Sequence, residues 1–204
     1  MKIKIVLLFV FWQLLIPIFA QKNNIYQKDI AKKFQEELNA SYKNKKTSPL
    51  SAKDLASFKK HSFFKINSKY CVEATVINST DEKPFPMPTT AGTKTMYIKY
   101  GVANFEIDNK KYALNIYQSI DLSKKPGYED YLFMPFRDLT NGKTTYEGGR
   151  FMDFRISKDN KIIIDFNKAY NPYCAYSDNY ACPIIPKENS LEVEILAGIK
   201  FKNK

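Results

Sequence analysis

The sequence predicts a mainly β (α+β) fold: an antiparallel β-barrel or sandwich with one or two N-terminal helices packed on it. Three observations predict it. From Phe63 onward, short runs rich in Val, Ile, Phe and Tyr alternate apolar with polar residues. Turn signals punctuate those runs. Helical periodicity is confined to the chain before them. The 204 residues, 44% hydrophobic and 26% charged, suit one domain with a true core rather than a disordered chain. Fifteen Phe and fourteen Tyr supply that core, since each buried ring removes roughly 150–250 Å² from water.

Residues 1–20 read as an export signal. Lys2 and Lys4 precede an apolar stretch from Ile5 to Leu15, and Pro17 breaks it before Ile18-Phe19-Ala20. That order matches a secretory signal peptide cleaved near Ala20, and the run is short for a membrane span, which takes about 20 residues. The expected product is exported, periplasmic or secreted. Residues 21–50 follow as a basic amphipathic helix and linker. Tyr26, Ile30, Phe34, Leu38 and Tyr42 recur every fourth residue, placing them on one stripe of a helix over Asn24–Tyr42. Ser51 with Asp54 three residues on forms a capping box, which starts a second helix over Ala52–Lys60.

Residues 51–204 are expected to form a single β-rich domain. Strands are predicted at Tyr70–Ile77, Lys94–Tyr100, Val102–Ile107, Tyr112–Ile120, Tyr131–Phe136, Arg150–Ile156, Lys161–Phe166 and Leu191–Phe201, the last with a bulge at Gly198. Asp108-Asn109-Lys110 joins its flanking strands as a hairpin. Asp159-Asn160 is expected to do the same for the pair around it. Three prolines make Asp81–Pro88 a loop. No internal repeat is present.

Charge is distributed unevenly. Residues 22–69 hold twelve Lys against four acidic residues, whereas the chain from Tyr70 onward is nearly balanced. The basic segment could rest on an anionic envelope surface, or be only a solvated helix face. Nucleic acid is not expected as a partner of an exported protein. Of 32 basic residues only Arg137, Arg150 and Arg155 are Arg, all inside one short window. The guanidinium is a planar multi-donor fork that Lys cannot replace, so this window is expected to need specific geometry.

Two segments stand out, 135–151 and 165–189. In the first, Asn141-Gly142 suits a tight turn, Asp138 and Thr140 can cap its N–H groups, and Gly148-Gly149 allows close backbone approach. The second is dense in Tyr, Asn and Asp, a composition that can wall a small polar ligand or brace a rigid loop. The candidate ligand-binding residues are Arg137, Asp138, Thr140, Tyr146, Arg150, Asp165, Asn167, Tyr170, Asn171, Tyr176 and Asn189. Arg150 with Asp165 is the pair expected to meet. The strings P-F-x-D-x-T-x-G-x-x-T-Y-x-x-G-R and D-F-N-x-A-Y-N-P-x-C-A-Y, with Cys182-Pro183, Pro186 to Asn189 and Ala197-Gly198, resemble the bacterial and archaeal family of domain of unknown function 1684. The resemblance runs from about Ser48 to Phe201. It implies no catalytic residue, only that these two segments are the hallmark.

Little else in the chain points to chemistry. Cys174 and Cys182 lie close enough for a disulfide in an oxidising compartment, which would leave Cys71 as a free thiol. A zinc site would need His61 and all three cysteines at spacings unlike known zinc modules, so no metal site is assigned. His61 is the only histidine and reads as a surface or packing residue. Asp138, Asp153 and Asp165 could converge with Arg137 or Arg150 for carboxylate chemistry, or be ion-paired structural residues. No phosphate loop or dinucleotide fingerprint occurs, and no cofactor is identified. The leading expectation is a module that binds a small polar or anionic molecule. A metal-independent carboxylate hydrolase and a structural or interaction protein of the envelope are the alternatives.

Overall fold

The computed structural model describes residues 16–201, with side chains over 28–201. The expected export signal lies outside the described residues up to residue 15, and its last five residues fall in the first helix. Helix α1 spans Ile16–Lys43 and α2 spans Ala52–Ser57. The strands are β1 Cys71–Asn78, β2 Phe85–Pro88, β3 Lys94–Ile107, β4 Lys110–Ser119, β5 Tyr131–Phe136, β6 Arg150–Arg155 and β7 Lys161–Asp165.

Helix α1 buries the stripe that its sequence spacing predicts. Tyr42 and Ala31 are buried, Ile30, Phe34 and Leu38 half-buried, and Lys32 and Lys33 exposed. Tyr26 precedes the described side chains. Helix α2 starts at the capping box, where the Ser51 hydroxyl accepts from the Asp54 N–H at 3.1 Å and donates to its carboxylate at 2.8 Å. It ends at Ser57, short of Lys60, because Phe58 and His61 turn inward onto the Tyr42 ring.

The strands form a nearly closed antiparallel barrel in the order β6-β5-β4-β3-β1-β7, with β2 added to β3. The β3–β4 hairpin closes through Asp108 and Asn109 at φ 52° and 60°, the mirror-image turn whose twist matches its strands. The order overturns one expectation. β6 and β7 are consecutive in the chain yet sit at opposite ends of the sheet, so they are not a hairpin. β6 ladders with β5 and β7 with β1, and the short connection through Asn160 draws the two ends of the curled sheet together. The open edge of β6 is taken by Tyr170, whose N–H and C=O pair with those of Phe151 at 3.1 and 2.9 Å.

Three other expectations are corrected. β3 is one strand running through an irregularity at Gly101, not two. Phe85–Pro88 is a strand despite its prolines; it lies at the sheet margin, where a missing N–H breaks no ladder. Residues 191–201 are irregular rather than a final strand. Their period of two is real, since Leu191, Ile195, Ala197 and Ile199 are buried. The carbonyls of Ile195 and Ala197, however, accept from the Arg150 side chain instead of a neighbouring strand.

Alternate residues of the strands fill the barrel, among them Val76, Phe105, Ile116, Met134, Met152 and Ile164, closed off by Phe166. A second apolar cluster lies on the outer face, where Met87, Tyr97, Tyr117, Phe133 and Phe151 meet Cys182 and Ile185. β5 is therefore covered on both faces, which accounts for its unbroken apolar sequence.

Candidate functional site

The structure seals most of the polar hallmark residues inside the fold. Arg150 is fully buried, its guanidinium 5.1 Å from the Phe136 ring. Nη2 donates to the Asp138 carboxylate and, at 3.0 Å, to the Ile195 carbonyl, while Nη1 donates to the Ala197 carbonyl. Burial pushes the Arg150 pKa down, and the attraction of Asp138 opposes the shift. The partner of Arg150 is Asp138 rather than Asp165.

Asp138 in turn orders its own loop. Its Oδ1 accepts from the Thr140 N–H at 2.7 Å and from the Thr140 hydroxyl. Thr140 and Asn141 both reach the Thr145 hydroxyl at 2.8 Å. The Asn141 amide oxygen accepts from the Asp138 N–H at 2.8 Å. Gly149 has φ +89°, and a Cβ there would meet the Phe136 carbonyl at 2.7 Å, so only glycine seats Arg150 this way. Gly198 has φ +76°, with the Phe166 carbonyl 2.7 Å from where a Cβ would stand.

Two asparagine amides stand in for peptide groups. Asn189 donates to the carbonyls of Asn115 (2.9 Å) and Pro135 (2.7 Å) and accepts from the Asn115 N–H at 3.0 Å. It wedges β4 and β5 where their ladder parts. Asn167 does the same for the backbone of Asn67, at 3.0 Å in both directions, and donates to Asp165 at 2.8 Å. Burial raises the Asp165 pKa against those hydrogen bonds. Asp165 and Asn167 edge a small cavity of about 280 Å³ beside Cys71. Burial likewise pushes the Cys71 thiol up to about 11.

The remaining predicted residues scatter. The Arg137 side chain is exposed, while its backbone bonds residues 189 and 191. The exposed Arg155 pairs with Asp130 at 2.6 Å. Asn171 donates to the Tyr176 hydroxyl at 2.9 Å, and that hydroxyl lies 3.4 Å from His61 Nδ1. Tyr146 packs its ring edge-on against Phe201. The three carboxylates do not converge: Asp138 lies within the fold, Asp165 at the small cavity, and Asp153 on the outer face of β6.

Asp153 marks a different place. β5 and β6 put Tyr131, Phe133, Phe151, Asp153 and Arg155 on one outer face, with Phe133 opposite Asp153 and Tyr131 opposite Arg155. The Tyr131 hydroxyl donates to Asp153 Oδ1 at 2.5 Å. The Tyr170 hydroxyl lies 2.8 and 2.9 Å from its two oxygens. Above them opens a cleft of about 430 Å³, walled by Phe34 and Leu38 of α1 and by Phe151, Tyr170, Tyr173 and Tyr180. Its volume is that of a small-molecule site. Protein atoms crowding Asp153 raise its pKa, and the two phenols, then Lys168 and Arg155, pull it back. Asp153 as a residue nonetheless remains exposed on this face.

Cys182 lines the same cleft, and its Sγ accepts from the Cys174 N–H at 3.2 Å. The two are not bonded as a disulfide. The hydrogen bond from Cys182 pulls the Cys174 thiol down to about 7, and Cys182 itself is held protonated.

The sequence signals for this cleft are indirect. Tyr170 is the one candidate ligand residue lining it. Phe34 and Leu38 appear in the sequence only as a helix stripe, and Tyr131 only as a strand residue. Asp153 is marked in the sequence as one of three carboxylates, but for a convergence that the fold does not make. Among the described residues no cluster of His, Cys, Asp and Glu is suited to hold a metal ion.

A family model described as a protein of unknown function (DUF1684) matches residues 56–200. The solution NMR structure of an uncharacterised protein from Haloarcula marismortui is similar, with a TM-score of 0.68 and 28% identity, covering 89% of this chain and 97% of that one. No curated protein matches.

Proposed function

Starting from a chain that belongs to the DUF1684 family of proteins of unknown function, we propose that it is an exported protein that binds one small molecule in the cleft between α1 and the outer face of β6. The observation that carries this reading is Asp153. Its carboxylate is held by two phenols on the floor of a cleft whose walls are aromatic. Such a site gives a ligand apolar contact along its body and one polar anchor. A hydrolase that works through two carboxylates has less support, because Asp153 is the only carboxylate among the described lining residues. Arg150 is no anion anchor, since it is buried and engaged with Asp138. The ligand is therefore not primarily anionic.

Export is supported by the charged, apolar and breaking order of residues 1–20. The exposed lysines of α1 support a peripheral contact with an anionic envelope surface. Native mass spectrometry of the protein purified from its own host tests the reading. A retained small molecule that is lost in Tyr170→Ala is the expected result. Protein that leaves the host empty, and keeps its mature N-terminus inside residues 1–20, would count against both parts.

A further inference from the structure

We infer that the ligand of this cleft is an organic ammonium ion carrying an apolar, preferably aromatic, body. The inference rests on the cleft being a binding site and goes on to fix the ligand's charge. Asp153 meets only neutral donors: the two phenols hydrogen-bond it, and among the described residues no lysine or arginine nitrogen lies within ion-pairing distance of it. The nearby cations do not contact it: Arg155 Nη1 is paired with Asp130 at 2.6 Å, and Lys168 Nζ, 5.8 Å from the Phe34 ring at the cleft wall, attracts Asp153 only at a distance. The contrast with Asp138, which has its own buried arginine, is direct.

A carboxylate placed among protein atoms with no cation in contact favours a ligand that brings one. The walls fit the same charge. Phe34, Tyr170, Tyr173 and Tyr180 surround the approach to Asp153, and an ammonium group is attracted to aromatic faces. A polyhydroxylated ligand fits worse, because its hydroxyls would lie unpaired against Leu38, Pro172 and Pro183. A carboxylate or phosphate would face Asp153 directly.

Three probes of matched shape separate these cases: phenethylammonium, neutral 2-phenylethanol and anionic phenylacetate. Binding is read from the tyrosine ring resonances by NMR titration of the full mature chain at neutral pH. Phenethylammonium is expected to saturate, with 2-phenylethanol about tenfold weaker and phenylacetate weaker still. In Asp153→Asn the ammonium advantage disappears, while an unchanged tyrosine spectrum of the free protein reports an intact cleft. If 2-phenylethanol binds as tightly as phenethylammonium, or Asp153→Asn keeps the preference, the charge assignment falls and the cleft remains a binding site. If no probe shifts the tyrosine resonances, the cleft reading falls as well.

Discussion

The guanidinium of Arg150 and the carboxylate of Asp138 pair with neither side chain exposed to solvent. One member anchors the 138–145 loop and the other gathers the 195–197 carbonyls, so the pair joins two irregular segments across the end of the barrel. A buried ion pair is not in itself a large source of stability, but removing one partner strands the other charge.

Arg150→Met should therefore destabilise the fold by about 3–5 kcal/mol. Arg150→Lys keeps the charge but loses the fork, and should cost about 1–3 kcal/mol. Lys32→Arg on the exposed face of α1 should stay within about 0.5 kcal/mol. Denaturant melts of the three variants decide it. Wild-type stability in Arg150→Lys would mean that the fork geometry is dispensable.

Much of the fold was legible because local pattern and tertiary outcome agree. The alternation in β1, β4 and β7 and the stripe on α1 each bury what their spacing predicts. The 191–201 segment shows where legibility ends. It has a strand's alternation, but its carbonyls bind an arginine more than forty residues away in sequence, and no local pattern reports that. The site was legible only in part for a related reason. Polarity marks Arg150, Asn167 and Asn189, yet their polar atoms are engaged inside the fold, on backbone carbonyls and N–H groups and on the Asp138 and Asp165 carboxylates. The cleft takes Tyr170, Tyr173 and Tyr180 from the second hallmark segment, but its other walls, Phe34 and Leu38 of α1 and Phe151 of β6, look in sequence like ordinary core.

Asp153→Asn should leave the melting temperature within about 2 °C of wild type, or raise it. Asp153 is an exposed residue, burial disfavours its charged form, and an amide oxygen can still accept from Tyr131 and Tyr170. Differential scanning calorimetry at neutral pH tests this. A large drop would assign Asp153 to folding rather than to a ligand.

Cys174 and Cys182 should close a disulfide when the protein is exposed to oxidised glutathione. The Cys174 thiol, at about 7, is part thiolate at neutral pH and lies beside its partner. Attack on the glutathione disulfide releases one glutathione thiolate, and Cys182, giving up its proton to solvent as it attacks, then displaces the second. Mass spectrometry should show the loss of two hydrogens at this pair. On the loop-entropy argument the bridge should add about 2–3 kcal/mol, less any strain. A mixed disulfide that persists on Cys174 without resolving would show that the two sulfurs cannot reach each other.

His61 gives the fold a pH dependence whose sign is fixed by burial. Its ring is packed among Tyr42, Phe58, Phe63 and Tyr176, and Nε2 has no hydrogen-bond partner among the described residues. Burial holds its pKa at about 4, below the usual 6.5. The unfolded chain therefore takes up this proton before the folded one does. The contribution is fully present above about pH 6.5 and is lost progressively down to about pH 4, with no further change below that. Each pH unit in that window is worth about 1.4 kcal/mol, or about 3 kcal/mol in all. Carboxylates titrate nearby, so the quantity to follow is the difference between wild type and His61→Phe, which keeps the ring packing and removes the proton site. That difference should grow in favour of the variant as pH falls from 6.5 to 4. Parallel stability curves for the two proteins would mean that His61 is charged in the folded state, or that the His61–Tyr42 contact opens without cost.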